Sequence, residues 1–347
     1  MKVLCFSSFT FSYLNRARVL FASLRRFHPD WELVALITDE APPGFAFDPA
    51  CEPFDRVVWA SELGVPAFPS WLFQHDVVEA CTAVKGPFLL QACGSGADAV
   101  VYLDPDTALL GSLAPVEAWL ESDDILLTPH LLEPNDQPQA VEDNDVATLR
   151  TGVFNLGFVA VRATGEGARF AAWWNARLLT HCYDEIPRGL FVDQRWCDEA
   201  PGLFDRLKVV RDPGYNVASW NLSRRKVSVE KDGRILVNGA PLRFWHFTKL
   251  GEVADVMTRR YARDNFPVYE IWNWYRREVA RATEPAIPPD WWAYGVYGDG
   301  QPIEKADRLL YRSRPDLQAA FPDPYAAGPD GFRAWLLEER AQQAERL

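Results

Sequence analysis

The chain has 347 residues, of which 48% are hydrophobic and 24% charged, so it is long enough to bury one large core or two ordinary ones. Its 48 acidic side chains outnumber its 36 basic ones and give a formal net charge of −12. This composition argues against a disordered chain, and the charge argues against a broad basic face for nucleic acid or an anionic membrane.

The N-terminus shows no targeting or anchoring pattern. Residues 1–6 are followed by the polar Ser7 and Ser8 instead of a long apolar region, and no apolar run in the sequence approaches the length of a membrane span. The six cysteines have no CxxC spacing, which favours reduced core thiols over disulfides. We therefore expect a cytoplasmic protein without a transmembrane segment that does not bind nucleic acid.

The first 130 residues alternate between strand and helix patterns. Apolar strand patterns occupy residues 2–6, 32–38, 55–59, 99–103 and 124–128. Helical periodicity occupies residues 13–27, 74–92 and 113–121. This alternation predicts an α/β fold with a mostly parallel central sheet flanked by helices, in which ligands bind beyond the carboxyl ends of the strands.

The second half of the chain has a weaker pattern. Residues 133–145 are rich in Pro, Asn, Asp and Gln and predict a loop, after which a strand at 153–161 and a helix at 168–179 are expected. From Pro267 onward the sequence is aromatic and proline-rich, and it predicts irregular chain before a closing helix at 332–343.

The strongest chemical signal is Asp104-Pro105-Asp106, which follows the apolar run of residues 99–103. Two carboxylates two residues apart on extended backbone project to the same side, and Pro105 biases Asp104 away from helix. Both carboxylates are therefore placed to bind one hard divalent cation. The alternative is an ordinary turn, in which Asp and Pro are also common.

A second signal is His246, which lies between Trp245 and Phe247 with Lys249 three positions on. A neutral imidazole is a suitable third ligand for a cation held by two carboxylates, and an ammonium group is suited to a phosphate. The alternative for His246 is a buried histidine that serves only the core.

The order of these motifs resembles that of GT-A glycosyltransferases, and most closely the family 8-like enzymes that use a nucleotide-sugar donor. The resemblance covers about residues 1–255, and the usual ending His-x-x-Gly-x-x-Lys-Pro-Trp is shortened here to residues 246–251. The matching segments are residues 102–106 for the Asp-x-Asp motif, 154–157 for an Asn-x-Gly strand, Asp193-Gln194, and His246-Phe247 with Lys249.

The resemblance implies a GT-A (Rossmann-like) nucleotide-sugar and catalytic domain at 1–255 and a smaller, mostly helical, aromatic-rich acceptor-side subdomain at 256–347. It implies a metal-dependent sugar transfer, with retention, from a nucleotide-diphosphate donor, most simply a UDP-sugar, to a glycan, lipid-linked, protein or small-molecule acceptor. The Mn²⁺ or Mg²⁺ ligands it implies are Asp104, Asp106 and His246.

The same resemblance assigns further site residues. Those implied to bind the donor are Ser7, Ser8, Tyr13, Asp39, Lys85, Asp104 and Lys249. Those implied to face the transferred sugar are Asn155, Asp193 and Gln194, and the sequence leaves open which of Asp193 and Gln194 lies at the anomeric carbon.

Two other functions fit part of the sequence. Asp104-Pro105-Asp106-Thr107 also matches the nucleophile motif of haloacid dehalogenase-like phosphatases, with Asp104 as nucleophile and Thr128 at a second strand end. A non-catalytic sugar-binding protein is the other alternative, in which Trp272, Trp274, Trp291 and Trp292 stack on sugar rings. Large aromatic side chains more often pack in a core, and we expect that of these four.

Overall fold

The computed structural model describes residues 1–345, in which fourteen strands are assigned. They are β1 (Val3–Phe9), β2 (Glu32–Ile37), β3 (Arg56–Trp59), β4 (Ala99–Leu103), β5 (Thr107–Leu109), β6 (Ile125–Pro129), β7 (Phe154–Arg162), β8 (Asp184–Glu185), β9 (Leu190–Phe191), β10 (Leu207–Val209), β11 (Val227–Val229), β12 (Ile235–Val237), β13 (Ala240–Pro241) and β14 (Phe244–His246).

Helices connect most of these strands. They are α1 (Leu14–Phe27), α2 (Phe68–Phe73), α3 (Val77–Ala83), α4 (Lys85–Cys93), α5 (Ala114–Ser122), α6 (Pro138–Ala140), α7 (Ala147–Thr151), α8 (Gly165–His181), α9 (Ala200–Leu203), α10 (Glu252–Ala262), α11 (Phe266–Ala282), α12 (Lys305–Ser313), α13 (Pro315–Ala320) and α14 (Phe332–Glu345).

Seven strands form the central sheet in the order β10-β6-β7-β4-β1-β2-β3. Four neighbouring pairs are parallel, and β7 runs antiparallel to both β4 and β6. Side chains alternate between two cores: Leu4 and Phe6 face the helices α3, α4 and α8, whereas Val3 and Cys5 face α1 and α5. The α/β fold with a mostly parallel sheet flanked by helices is confirmed.

Several predicted elements differ from the structure. Residues 74–92 form α3 and α4, because Asp76 caps α3 by accepting hydrogen bonds from the N–H groups of Val78 and Glu79. The predicted loop at 133–145 contains α6 and most of a π-helix at Val141–Val146. The irregular chain predicted from Pro267 is wrong for residues 267–282, because that proline lies in the first turn of the 17-residue α11, where no backbone donor is needed. Residues 283–292 contain neither helix nor strand, as predicted.

A short ladder outside the main sheet connects distant parts of the chain. β5 pairs antiparallel with β14, and Thr107 lies opposite His246. On the other side of β14, the backbone N–H of His246 donates to the carbonyl of Val217 at 2.8 Å. This ladder therefore brings the segment after β4, the chain around Val217 and β14 to one place.

The last third of the chain packs on the first two thirds. α11 contacts α1, and Trp272 and Tyr275 on α11 share a core with Trp245 and Phe247. A second small core joins Phe73 of α2 to residues of α12, α13 and α14. The division at residue 255 remains a prediction.

Two simpler expectations concern membranes and thiols. Within residues 1–345, no helix has the length and hydropathy that crossing a bilayer requires. Cys5, Cys182 and Cys197 are buried free thiols, whereas Cys51 is an exposed one.

Gly86, next to Lys85 in α4, lets α4 lie directly on α8. A methyl group added there would lie 2.8 Å from the Cα of Asn175 in α8, so Gly86→Ala forces the two helices apart. We expect this variant to lower the free energy of unfolding by about 1–3 kcal/mol in urea denaturation. Gly202→Ala is the control, because its added methyl group meets no atom within 4 Å. Equal stability of the two variants would contradict this packing.

Candidate metal and donor site

Two carboxylates and one imidazole meet at the carboxyl end of β4. His246 Nε2 lies 3.1 Å from Asp106 Oδ1 and 3.6 Å from Asp104 Oδ2. The candidate ligand atoms of the three residues all lie within 4.8 Å of one another. Oxygen and imidazole ligands at this spacing fit one Mn²⁺ or Mg²⁺ ion.

The ring of His246 is fixed from the side opposite the carboxylates. Asn216 donates from Nδ2 to Asn155 Oδ1 at 2.9 Å and to Thr128 Oγ1 at 3.0 Å, which leaves its Oδ1 to accept from His246 Nδ1 at 3.2 Å. With the proton on Nδ1, the lone pair of Nε2 points to the carboxylates, as a metal ligand requires. Asn216 has a left-handed backbone, φ +51°, which asparagine tolerates well.

Burial and neighbouring charges shift the pKa values of His246 and Asp106 in opposite directions. Burial alone would lower the pKa of His246, but Asp106 and Asp104 raise it above its ordinary value. Burial likewise acts to raise the pKa of Asp106, but His246 and Arg16 bring it below its usual range.

Lys85 crosslinks the Asp-x-Asp segment to the Asp193 loop. Its ammonium, on a residue only 2% exposed, lies 2.8 Å from Asp193 Oδ2 and 3.1 Å from Asp104 Oδ1. Tyr102 donates to the same Asp104 oxygen at 2.5 Å. Burial opposes the charge of Lys85, but the two carboxylates raise its pKa above the ordinary value.

A cleft of about 720 Å³ opens over these residues. Of the predicted donor and metal residues, it is lined by Ser8, Tyr13, Lys85, Asp104 and Asp106. Tyr13 is 38% exposed, and the guanidinium of Arg16 lies 4.0 Å from the centre of its ring.

Other predicted residues lie away from the cleft lining. Ser7 is fully buried, and its hydroxyl has no partner within the described chain. Asp39 is buried with its carboxylate bonded to backbone, and Lys249 is exposed on a left-handed turn, φ +53°.

The residues expected to face the sugar belong to a buried polar network. Asn155 accepts from the N–H of Gly157 at 3.1 Å, and its Nδ2 lies 3.3 Å from His130 Nε2. Gln194 donates to the carbonyl of Thr151 at 2.7 Å. Lys85 joins Asp193 to Asp104, and Asn155 reaches His246 through Asn216. The contact of Asn155, Asp193 and Gln194 with a sugar stays a prediction.

Sequence reasoning did not predict that several other residues support the metal ligands. Thr128, His130 and Tyr102 act through hydrogen bonds that no motif spacing predicts. Asn216 carries one usable signal, since an Asn after Pro213-Gly214-Tyr215 is typical of a tight, left-handed turn.

No protein-family model matches the chain. A curated relative, the uncharacterized protein YfnD of Bacillus subtilis (strain 168), is 31% identical over 172 residues, 49% of this chain and 53% of the relative. The chain spans about half the length of the curated relatives it matches.

Among solved structures, the chain is similar to the galactosyltransferase LgtC in complex with donor and acceptor sugar analogs, at 15% identity over 83% of this chain and 98% of that chain, with a TM-score of 0.44. It is also similar to the glycosyltransferase GlyE of Streptococcus pneumoniae TIGR4, at 16% identity over 80% and 64% of the two chains, with a TM-score of 0.43.

Gly157 leaves the space that the His246 ring occupies. A methyl group on residue 157 would lie 2.5 Å from His246 Cε1 and 2.8 Å from Asn155 Oδ1. Gly157→Ala should therefore displace the imidazole and weaken Mn²⁺ binding by about tenfold or more, measured by isothermal titration calorimetry. Gly202→Ala is again the control. Unchanged affinity in Gly157→Ala would show that His246 is not a ligand.

Removal of the Lys85 charge should leave Asp193 and Asp104 without their counter-ion. We expect Lys85→Met to lower the free energy of unfolding by about 3–5 kcal/mol in urea denaturation. Lys85→Met/Asp193→Asn should regain part of that loss, because the buried charge at residue 193 is gone. A double variant less stable than Lys85→Met would contradict the ion-pair account.

Proposed function

We propose that the protein is a metal-dependent glycosyltransferase that moves a sugar from a nucleoside-diphosphate donor, most simply a UDP-sugar, to a hydroxyl acceptor, with retention. One observation carries this proposal: Asp104, Asp106 and His246 form a three-residue ligand set beside a cleft of about 720 Å³. Glycans, lipid-linked glycans, proteins and small molecules all remain in the acceptor class.

The ligand set fits the chemistry of such a transfer. The bond between the anomeric carbon and the diphosphate oxygen breaks with its electron pair on the diphosphate. The acceptor oxygen bonds to the carbon, and its proton passes to the departing diphosphate oxygen. Asp104, Asp106 and His246 would hold a divalent cation, which would neutralise charge on the leaving diphosphate. Because this group carries two carboxylates, a bound cation would offset their repulsion of the diphosphate.

Residues next to the three candidate metal ligands are suited to position the reacting groups. Lys85 holds Asp104 and Asp193 in fixed places and supplies positive charge at the base of the cleft. Asp193 and Gln194 follow a left-handed Val192, φ +40°, a strained backbone that turns this loop toward Lys85. Either of them is suited to stabilise positive charge at the anomeric carbon, and Asn155 orients the neighbouring network.

The two alternatives have less support in the geometry. A phosphatase would need Asp104 free as a nucleophile, but one of its oxygens already accepts from Lys85 and Tyr102. The Thr128 hydroxyl is buried in hydrogen bonds with Asn216 and Asn155. A sugar-binding protein would not need the metal ligand set.

Nucleotide selectivity tests the proposal directly. We expect UDP with Mn²⁺ to raise the melting temperature in a thermal-shift panel of UDP, GDP, CMP and dTDP, because a ligand at 100 times its Kd stabilises the folded state by about 2.7 kcal/mol. Mn²⁺-dependent hydrolysis of the matching nucleotide-sugar should follow. Release of phosphate from simple esters would favour the phosphatase, and sugar binding without nucleotide or metal would favour the binding protein.

Asp106→Asn removes one ligand charge and keeps the size of this buried side chain. We expect the Mn²⁺-dependent thermal shift to disappear and donor hydrolysis to fall by about 100-fold or more, since the cation supplies several kcal/mol of transition-state stabilisation. The melting temperature without ligand should remain within a few degrees of that of the natural chain.

Asp30→Asn is the matched control for this experiment, because Asp30 is an exposed carboxylate outside the cleft lining. It should leave both the shift and the hydrolysis unchanged. Full activity of Asp106→Asn would remove the metal site from the proposal.

A further inference from the structure

A segment from the last third of the chain covers the end of β2 and forms one side of the cleft. Residues 288–296, here called the strap, contribute seven of the residues that line it. Trp291 Nε1 donates to the carbonyl of Glu40 at 2.8 Å, and Trp292 Nε1 donates to that of Thr38 at 3.1 Å. The two indole N–H groups therefore occupy the carbonyls of Thr38 and Glu40, which follow β2 and would otherwise be available to a ligand.

Asp39 fastens the strap. It is 3% exposed, and its carboxylate accepts from the backbone N–H groups of Phe11 at 2.9 Å, Glu40 at 2.9 Å and Ala293 at 2.7 Å. Three donors from three parts of the backbone occupy both oxygens. Asp39 thus makes its bonds to the protein and none of its surface lines the cleft, although the end of β2 is where the family resemblance places the nucleoside.

Arg308 of α12 and two prolines also restrict the strap. Arg308, itself buried, donates to the carbonyl of Phe73 at 3.1 Å, and its guanidinium lies 4.8 Å from the ring centre of Trp292. Pro288 and Pro289 restrict the backbone at the start of the segment. The strap therefore contacts the end of β2 on one side and Arg308 on the other, and these contacts fix its position beside the cleft.

One polar group on this wall is open to a ligand. Asp290 is exposed and lines the cleft, and within the described residues its carboxylate makes no hydrogen bond or ion pair. Tyr13 and the hydroxyl-bearing Ser12 and Thr10 line the same cleft from the end of β1. A carboxylate is a strong acceptor for paired sugar hydroxyls, and an aromatic ring suits a base.

We propose that the strap is the nucleoside-binding wall of the donor cleft, in which Asp290 accepts from the ribose hydroxyls and Asp39 is a positioning residue that holds the strap in place. This inference rests on the proposed function. It assigns the nucleoside contacts to residues 288–296 instead of to Asp39 itself.

Hydrogen exchange locates the nucleoside. With UDP and Mn²⁺ bound to the full chain, we expect slower amide exchange in peptides covering residues 288–296 as well as in those covering 8–13. Protection at 8–13 with no change in the strap, or faster exchange in the strap, would overturn the proposal, because the nucleoside would then bind elsewhere or displace the segment.

Affinities of variants separate this inference from the proposed function. Asp290→Ala should raise the Kd of UDP by about tenfold or more and leave the Kd of Mn²⁺ alone within about twofold. Asp330→Ala, an exposed carboxylate outside the cleft lining, is the matched control and should change neither value.

The positioning role of Asp39 has its own readout. Asp39→Asn should speed amide exchange at residues 291–293 in the free protein and weaken UDP binding, again without changing the Kd of Mn²⁺. If that variant fails to fold, Trp292→Phe removes the Nε1–H bond to Thr38 and leaves a smaller aromatic ring, and the same pair of effects is expected. Absence of nucleotide binding by the natural chain would refute the proposed function, whereas unchanged UDP binding in the variants would refute the strap alone.

Discussion

The pairing of β14 with β5 is the constraint on which the site depends. It places Thr107 opposite His246, residues that are far apart in the sequence, and so brings the imidazole to the two carboxylates that follow β4. Gly157 makes room for the ring, and Asn216 sets which nitrogen faces the carboxylates. Without this ladder, Asp104 and Asp106 would be an ordinary acidic turn.

The negative charge of the carboxylates at the site explains why a lysine is buried among them. Three carboxylates lie near one another at the end of the sheet, and Lys85 balances two of them, Asp104 and Asp193. Asp106 lies 3.1 Å from His246 Nε2 instead, and together with Asp104 these two residues would hold a divalent cation. A buried ammonium therefore keeps the frame of the site intact, while the imidazole and Asp106 remain available to a cation.

The sequence predicted the sheet, and it placed Asp104, Asp106 and His246 in one group, for physical reasons. Strands such as residues 99–103 are continuous apolar runs, and polar groups at their ends are visible in any α/β chain. Asp104, Asp106 and His246 were predicted together, and the structure brings them together. The predicted role of each stays a prediction until metal binding is measured.

The start of α11, the partners of Asp39 and the Asn216 network were not predicted, because they depend on contacts between distant parts of the chain. Pro267 indicates a break by composition, yet its position in the first turn makes it a helix start. Asp39 has the strand-end position typical of a ligand group, but a segment about 250 residues later occupies its carboxylate. The network through Asn216 joins three separate segments, and no spacing within one segment reveals it.

Pulsed electron–nuclear double resonance on the Mn²⁺ complex with UDP tests the central claim most directly. The account predicts a nitrogen-14 coupling from the imidazole of His246, which His246→Ala removes, together with a phosphorus-31 coupling from the diphosphate on the same ion. A Mn²⁺ spectrum without nitrogen coupling, or one that UDP leaves without any phosphorus coupling, would contradict it.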